Sequence, residues 1–271
     1  MNLSVERLAL LRAALRENSI DTCIIPSSDP HLGEYVPDHW RIIQWLTGFT
    51  GSAATVVVTD TFAGLWTDSR YFIQAEKQLY GSGFEFVKPS ASKGNDYPDF
   101  ISANSLTGQK VGIDGRVFSL SRFRRIEKGL KKQGPVFVTD CDLVTELWTD
   151  RPAMPCSVAF DHPARYCGKE RLIKINEVRE EMIRKSVDYH FLASADDIMW
   201  LLNIRGSDLK YSPLLLSYAL IGMDQVLLFA GESKIPPRLA KEFDNSGIVI
   251  LPYEDTFEII AAVTDGASVL I

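Results

Sequence analysis

Histidine is scarce in this sequence, with four among 271 residues. None of His31, His39, His162 and His190 falls in an H-E-x-x-H or comparable spacing that would aim two ligands at one metal ion. No self-contained metal site is expected. The four cysteines, at positions 23, 141, 156 and 167, include no C-x-x-C pair, and Cys23 and Cys141 sit among strand-like apolar residues, so all four read as reduced thiols of a cytosolic protein. There is no G-x-S-x-G elbow, no G-x-x-x-x-G-K-[ST] phosphate loop and no G-x-G-x-x-G after a strand. Long apolar runs are missing too. No segment approaches the roughly 20 residues that cross a bilayer, and Met1 to Asn18 scatters Glu6, Arg7, Arg12, Arg16 and Glu17 among its leucines, unlike a signal peptide. Positive charge is in deficit, 29 Lys plus Arg against 35 Asp plus Glu, and the resulting −6 repels a phosphate backbone. Neither nucleic acid nor a membrane is expected as a partner.

What is present is the balance of a soluble globular protein, 46 % hydrophobic and 24 % charged, in a length that suggests about two domains. Ser4 can cap a helix carrying Val5, Leu8, Leu11 and Leu15 on one stripe and ending at Asn18. Thr22 to Ile25 reads as a buried strand stopped by Pro26. Further on, Leu172, Ile175, Val178 and Met182 repeat the helical spacing, and Ile20 to Asp29 lines up with Val187 to Asp196. Trp45-Leu46-Thr47-Gly48-Phe49-Thr50-Gly51-Ser52 then matches Trp200-Leu201-Leu202-Asn203-Ile204-Arg205-Gly206-Ser207, after a shorter intervening segment. Two ordered matches indicate duplication.

Each copy continues with a hairpin, Ala54 to Thr59 with Ala63 to Trp66, and Leu214 to Ile221 with Gln225 to Phe229. A helix follows each hairpin, Ser69 to Leu79 and Arg238 to Asp244. The first copy adds strands at Phe84 to Val87, Val111 to Ile113 and Val136 to Val138, with helices at Tyr97 to Ala103 and Leu120 to Lys132; the second adds strands at Ile248 to Leu251 and Val269 to Ile271. The prolines of Asp150 to Pro155 and Asp161 to Pro163 predict an extended linker. The expected fold is α/β, in two related domains, 1–158 and 159–271, each a mixed β-sheet flanked by helices. The last residues, Ala267 to Ile271, form a strand-like run without turn or polar tail, which suggests a truncated chain.

Two segments carry candidate chemistry. Pro26 to Tyr35 follows a buried strand and could gather Asp29, His31, Glu34 and Tyr35 at its carboxyl end, where α/β sheets bind ligands; the alternative is a capped helix start, with Asp29 as N-cap and Pro30 at N1. In Trp66-Thr67-Asp68-Ser69-Arg70-Tyr71-Phe72, Arg70 stands in a first helical turn, where the macrodipole disfavours a cation. Either it pairs locally with Asp68 or it holds a planar donor fork out for a carboxylate or carbonyl. The basic run from Arg122 to Lys132 reads as a solvated helix face, and Trp40, Trp45 and Trp200 as core or interface.

These segments, with Gly48-Phe49-Thr50-Gly51-Ser52-Ala53 between them, resemble the Xaa-Pro aminopeptidase (aminopeptidase P) family in its three-domain cytosolic form. The resemblance continues through Leu147-Trp148-Thr149-Asp150-Arg151-Pro152 and Asp197 to Asp208 and covers essentially the whole chain. It implies two creatinase/prolidase-type N-terminal domains that precede a pita-bread catalytic domain. That third domain holds two divalent metal ions, usually manganese, through Asp, Asp, His, Glu and Glu, and a metal-bridging hydroxide attacks the bond before a penultimate proline. Nothing in this chain corresponds to it, so no catalytic or metal-binding residue is carried over, and the chain alone is expected to be inactive.

What the resemblance does carry over is accessory. The Arg of the family's W-T-D-G-R-Y-F pattern lines the substrate site and here is Arg70, with Ser69 where Gly is common; His31 is a second substrate-binding candidate for the same cleft. The resemblance further implies a proline-containing peptide as substrate of the complete enzyme and a homodimer. A peptide-binding module of the same ancestry is the alternative, since pita-bread relatives serve as binding domains, for example in histone chaperones. A creatinase- or prolidase-type enzyme accords less well, because those typically have one N-terminal domain.

Overall fold

The computed structural model of the chain describes residues 2–89, 96–104, 107–132 and 134–271, and it divides into two compact units, Met1–Ala153 and Met154–Ile271. The first unit opens with α1 (Leu3–Glu17), capped not by Ser4 but by Asn2, whose side chain accepts the Ser4 amide at 3.1 Å. With the cap displaced, Ser4 enters the buried stripe alongside Leu8, Leu11 and Leu15, while Val5 faces solvent. The small Ser4 hydroxyl lies close to Gly48, letting α1 pack on the helix α2 (Ile42–Thr47).

Strand β1 (Thr22–Pro26) runs antiparallel to β2 (Ala54–Thr59), which turns at Asp60-Thr61 into antiparallel β3 (Ala63–Thr67). Parallel strands β4 (Glu85–Val87), β5 (Lys110–Ile113) and β6 (Val136–Val138) complete a sheet of order β4-β3-β2-β1-β5-β6. Period-2 alternation divides the sheet. Cys23, Ile25, Val56, Val58 and Leu65 face α1, α2, α3 (Phe72–Gln78) and α6 (Val144–Leu147). On the opposite side Trp66 joins Phe62, Tyr97 and Phe100 in an aromatic cluster with α4 (Tyr97–Asn104), which packs on α5 (Leu120–Gly129).

The second unit repeats this plan. After β7 (Phe160–Asp161) and α7 (Ala164–Cys167), the helix α8 (Arg171–Lys185) takes the place of α1 and β8 (Tyr189–Leu192) that of β1. A helix α9 (Ala195–Leu202) and short β9 (Ile204–Arg205) lead to the antiparallel pair β10 (Tyr218–Ile221) and β11 (Val226–Phe229). Then α10 (Pro237–Asp244), β12 (Ile248–Leu251), α11 (Thr256–Val263) and β13 (Val269–Leu270) close a sheet of order β12-β11-β10-β8-β13. Each sheet thus sets its first strand between an antiparallel and a parallel neighbour. The aligned helices α2 and α9 both end on a left-handed residue, Gly48 at φ 79° and Asn203 at φ 53°. Glycine and asparagine are the residues that enter that conformation most readily.

Several expectations are corrected. Strand β10 starts at Tyr218 rather than Leu214, because the Leu216 amide is taken by Asp208 Oδ2 at 2.8 Å instead of a neighbouring strand. Trp40 and Trp45 are buried, but Trp200 is 49 % exposed, its ring covered by the Lys174 ammonium 4.2 Å from the centroid. Within the basic run Arg122 departs from a solvated face, bonded inward to Thr55 Oγ1 at 2.7 Å, whereas Ile126 and Leu130 are buried as their helical spacing between the charges leads one to expect.

Candidate functional site

Strands β1, β3, β4, β5 and β6 point the same way, so the segments that leave them meet at one edge of the first sheet, the edge at which open α/β sheets hold ligands. Ser27 to Val36 leaves β1, Asp68 to Tyr71 leaves β3, and Asp114 to Arg116 leaves β5. A cleft of about 150 Å³ opens there, lined by Ser27, Glu34, Tyr35, Trp40, Arg41, Gln44 and Thr50 to Ser52 among others. A larger hollow, about 650 Å³, lies at the opposite edge beside Arg16, Asp21, Asp60 and Lys110. Its Arg16 and Asp60 are already paired at 2.7 Å, and no motif residue lines it.

Arg70 adopts the local pair. Its Nε and Nη2 donate to the two oxygens of Asp68 at 2.9 and 2.8 Å, and Asp68 also accepts the Arg70 amide at 3.0 Å, capping the short 3-10 turn Ser69–Tyr71. The same carboxylate that caps the start of the turn also neutralises the misplaced cation. Hydrogen bonding and charge from Arg70 hold the Asp68 carboxyl below its ordinary range, and Asp68 raises the guanidinium in turn. The Arg70 side chain stays 69 % exposed and rests over the Tyr71 ring. Tyr71 reaches the cleft, its hydroxyl 2.8 Å from Ser52 Oγ.

A second Asp-x-Arg turn, which the sequence reading passed over, repeats this geometry after β5. Arg116 Nε and Nη2 donate to Asp114 at 2.9 and 2.8 Å, and Asp114 accepts the Arg116 amide at 3.1 Å. The signal was legible: Leu65 to Arg70 and Val111 to Arg116 both read as a strand, then Asp, a small residue and Arg. Arg116 also pairs with Asp142 at 2.5 Å and lies over the Trp40 ring at 5.5 Å. Arg151 lies over that ring at 4.9 Å and donates to His39 O at 2.8 Å and Thr145 Oγ1 at 2.7 Å. The segment at 150–152, expected as part of a linker, is therefore tied onto the first unit, with His39 Nδ1 2.7 Å from Pro152 O. Among the described residues, Trp40 Nε1 and Arg151 Nη2 are buried without a hydrogen-bond partner. Burial, with the Arg151 and Arg116 charges, moves His39 to the neutral side of its ordinary range despite the Pro152 carbonyl.

Asp29 is neither a ligand group facing solvent nor a helix cap. It is 1 % exposed and closes a turn, its Oδ1 accepting the His31 amide at 3.0 Å while its backbone carbonyl accepts from Leu32 at 3.1 Å. Leu32 sits at φ 53°, so no helix starts at Pro30. The cap-and-helix arrangement does form in the second copy, where Ser194 caps α9. Burial raises the Asp29 carboxyl, an effect opposed by the His31 charge and by backbone amides of the turn. Of the four residues proposed to cluster, Glu34 and Tyr35 line the cleft; Asp29 and His31 are not among its lining residues. In the second copy the corresponding motif is architectural: Asn203 ends α9, and Asp208 is buried against Lys234 at 2.9 Å.

Among the described residues no group of three His, Cys, Asp or Glu side chains is placed to hold a metal ion, so these residues do not offer the donor set of a dinuclear metal centre. Among them, too, no helix is long and apolar enough to cross a membrane. A family model described as creatinase/prolidase N-terminal domain matches residues 7–146, and another of the same description matches 150–271. The chain belongs to the creatinase/prolidase N-terminal domain family and carries that domain twice.

Its relatives narrow the class further. A Talaromyces marneffei protein named "Probable Xaa-Pro aminopeptidase P" is 35 % identical over 254 residues, 93 % of this chain and 38 % of its own length. A Laccaria bicolor protein of the same name is 33 % identical over 257 residues, 94 % of this chain and 40 % of its own. The solved X-prolyl aminopeptidase of Caenorhabditis elegans, described as a cytosolic enzyme with a di-nuclear active site, matches with a TM-score of 0.90 and 32 % identity over 97 % of this chain and 45 % of its own. The chain thus spans less than half the length of these relatives.

Proposed function

We propose that this chain is the N-terminal, non-catalytic part of a metal-dependent Xaa-Pro aminopeptidase, an enzyme that releases an N-terminal residue linked to proline. Its two domains shape the substrate cleft and contribute to a cytosolic homodimer. The two metal ions, manganese in this reading, are held outside these domains. The observation that carries the proposal is Arg70. Asp68 engages two of its five N–H groups and fixes the fork at the carboxyl edge, so three exposed donors remain for a peptide carboxylate or carbonyl. His31, on the turn after β1, is the second contact in this reading.

The test is steady-state hydrolysis of an Xaa-Pro peptide with manganese. The full-length enzyme is expected to turn over and the 271-residue chain to give none. Arg70→Ala in the full-length enzyme is expected to lower kcat/KM by about 10-fold to 100-fold, the size of a lost charge-assisted hydrogen bond. Hydrolysis by the chain alone, or an unchanged kcat/KM in the variant, refutes the corresponding part. Peptide binding without turnover by the full-length protein would place the chain among binding modules instead.

A further inference from the structure

We propose that Cys23 and Cys141 form a peroxide-reactive thiol pair that closes to a disulfide inside the first unit. Cys23 on β1 is the register partner of Gly112 on β5, so its side chain leaves the sheet on the face where Gly112 has none. A Cβ built on Gly112 would lie 2.6 Å from Cys141 Sγ and 3.2 Å from Cys141 Cβ. The Cys141 thiol therefore fills the place of the missing side chain, next to Cys23, and both belong to one buried cluster. The glycine makes the meeting possible.

The neighbouring Cys141 thiol and burial push the Cys23 thiol up, while burial and the nearby Asp140, Asp142 and Asp114 charges oppose ionisation of Cys141. Position divides the pair into an outer sulfur, which meets the oxidant first, and an inner one that resolves it. Cys141 borders an open cleft of about 420 Å³ with Glu17, Asn18, Asp140 and Asp142, and Cys23 lies behind it at 3 % exposure. Glu17, Asp140, Asp142 and Glu146 line that entrance together with Lys110, and it is open to a small neutral oxidant such as hydrogen peroxide.

The chemistry balances with hydrogen peroxide as the two-electron oxidant. The Cys141 thiolate attacks one peroxide oxygen, the O–O bond breaks, and hydroxide leaves, giving Cys141 sulfenic acid. The Cys23 sulfur then attacks the Cys141 sulfur, the S–O bond breaks, and the departing hydroxide takes the Cys23 proton to leave as water. Both thiols are oxidised by one peroxide, which is reduced to two waters.

The full chain treated with hydrogen peroxide, alkylated and digested with trypsin, which does not cut Arg151–Pro152, is expected to give a species joining peptide 17–41 to peptide 133–165, with fragmentation placing the link on Cys141 and the alkyl group on Cys156. It should carry two hydrogens fewer than the separate peptides and be released by dithiothreitol. Persistence of both free thiols, or Cys141 sulfinic acid beside a free Cys23, overturns the proposal, as does linkage of either residue to Cys156 or Cys167 instead. As a second measurement, Cys23→Ser strands Cys141 at the sulfenic stage, with about tenfold more dimedone adduct there than in the unchanged chain. Equal labelling of the two counts against the pair. Should that variant fail to fold, the cross-link in the unchanged chain decides.

Discussion

Arg116 grips both oxygens of Asp114, Nε at 2.9 Å and Nη2 at 2.8 Å, and the bond from Asp114 to the Arg116 amide makes cap and ion pair one device. Arg70 and Asp68 repeat it three strands away across the sheet. The two copies differ in their surroundings: Asp68 is 40 % exposed and Arg70 69 %, whereas Asp114 is 13 % exposed and Arg116 is further held by Asp142. Solvent screens the first pair more strongly. Asp68→Asn is expected to change stability by less than about 0.5 kcal/mol. Asp142→Asn, which leaves the half-buried Arg116 short of one counter-charge, should cost about 1–2 kcal/mol. Urea unfolding of both variants checks the contrast.

One buried and one part-buried carboxylate of this edge should give opposite pH dependences. For Asp142, burial acts upward, but the Thr145 hydroxyl and amide and the Arg116 guanidinium together outweigh it, so the folded carboxyl lies below its ordinary range. Its stabilising contribution is complete above the unfolded value of about 3.9 and is lost as pH falls through the folded value. Asp29 has the reverse sign. Its folded value is raised, chiefly by burial, so it favours folding more as pH falls from the raised value toward the unfolded one. The urea midpoint of Asp142→Asn should accordingly fall less steeply below about pH 4 than that of the unchanged protein. Asp29→Asn should lose the gain seen on acidification. Superimposable pH curves would contradict both assignments.

What was legible in the sequence followed the range of the interaction. Helical spacing of Leu8, Leu11 and Leu15 and the hairpin at Asp60-Thr61 are local signals, and each is present in the fold; the matched segments at Trp45 and Trp200 were visible as a repeat, but not that both are helix ends. The cap of α1 was misread because Asn2 and Ser4 are both good N-caps, and only packing against α2 decides which one is buried. At Asp29-Pro30 the local cue for a helix start lost to the left-handed Leu32. Arg151 folding over Trp40 and Cys141 filling the space beside Cys23 depend on partners more than 100 positions away, which no periodicity encodes. Arg70 was recognisable as a misplaced cation, but whether its partner was Asp68 depended on the turn geometry.

Lys174 tests a different kind of burial in the second unit. The residue is 1 % exposed, and its ammonium donates to Trp200 O and Asn203 Oδ1, both at 2.6 Å, tying α8 to the carboxyl end of α9. A cation is well placed at that helix end. Lys174→Met keeps the length of the side chain but leaves the amide oxygen of Asn203 and a backbone carbonyl without their donor. A loss of about 1–3 kcal/mol is expected, measured by urea unfolding. A neutral result would mean that solvent replaces the ammonium.

Gly112 is the position at which the first sheet should tolerate a side chain least. A methyl group there meets Cys141 Sγ at 2.6 Å, Ile20 Cγ2 at 3.0 Å and Cys141 Cβ at 3.2 Å, all within the core between the sheet and α1. Thiol carbon and sulfur cannot both withdraw by rotation about one bond. Gly112→Ala is expected to destabilise by about 1–3 kcal/mol through overpacking. If the collision with the thiol is the cause, most of that cost should vanish when the change is made in a Cys141→Ala background, giving a coupling above about 0.5 kcal/mol in the double-mutant cycle. Additive effects would instead assign the cost to Ile20 and to backbone movement of β5, and would separate Gly112 from the thiol it makes room for.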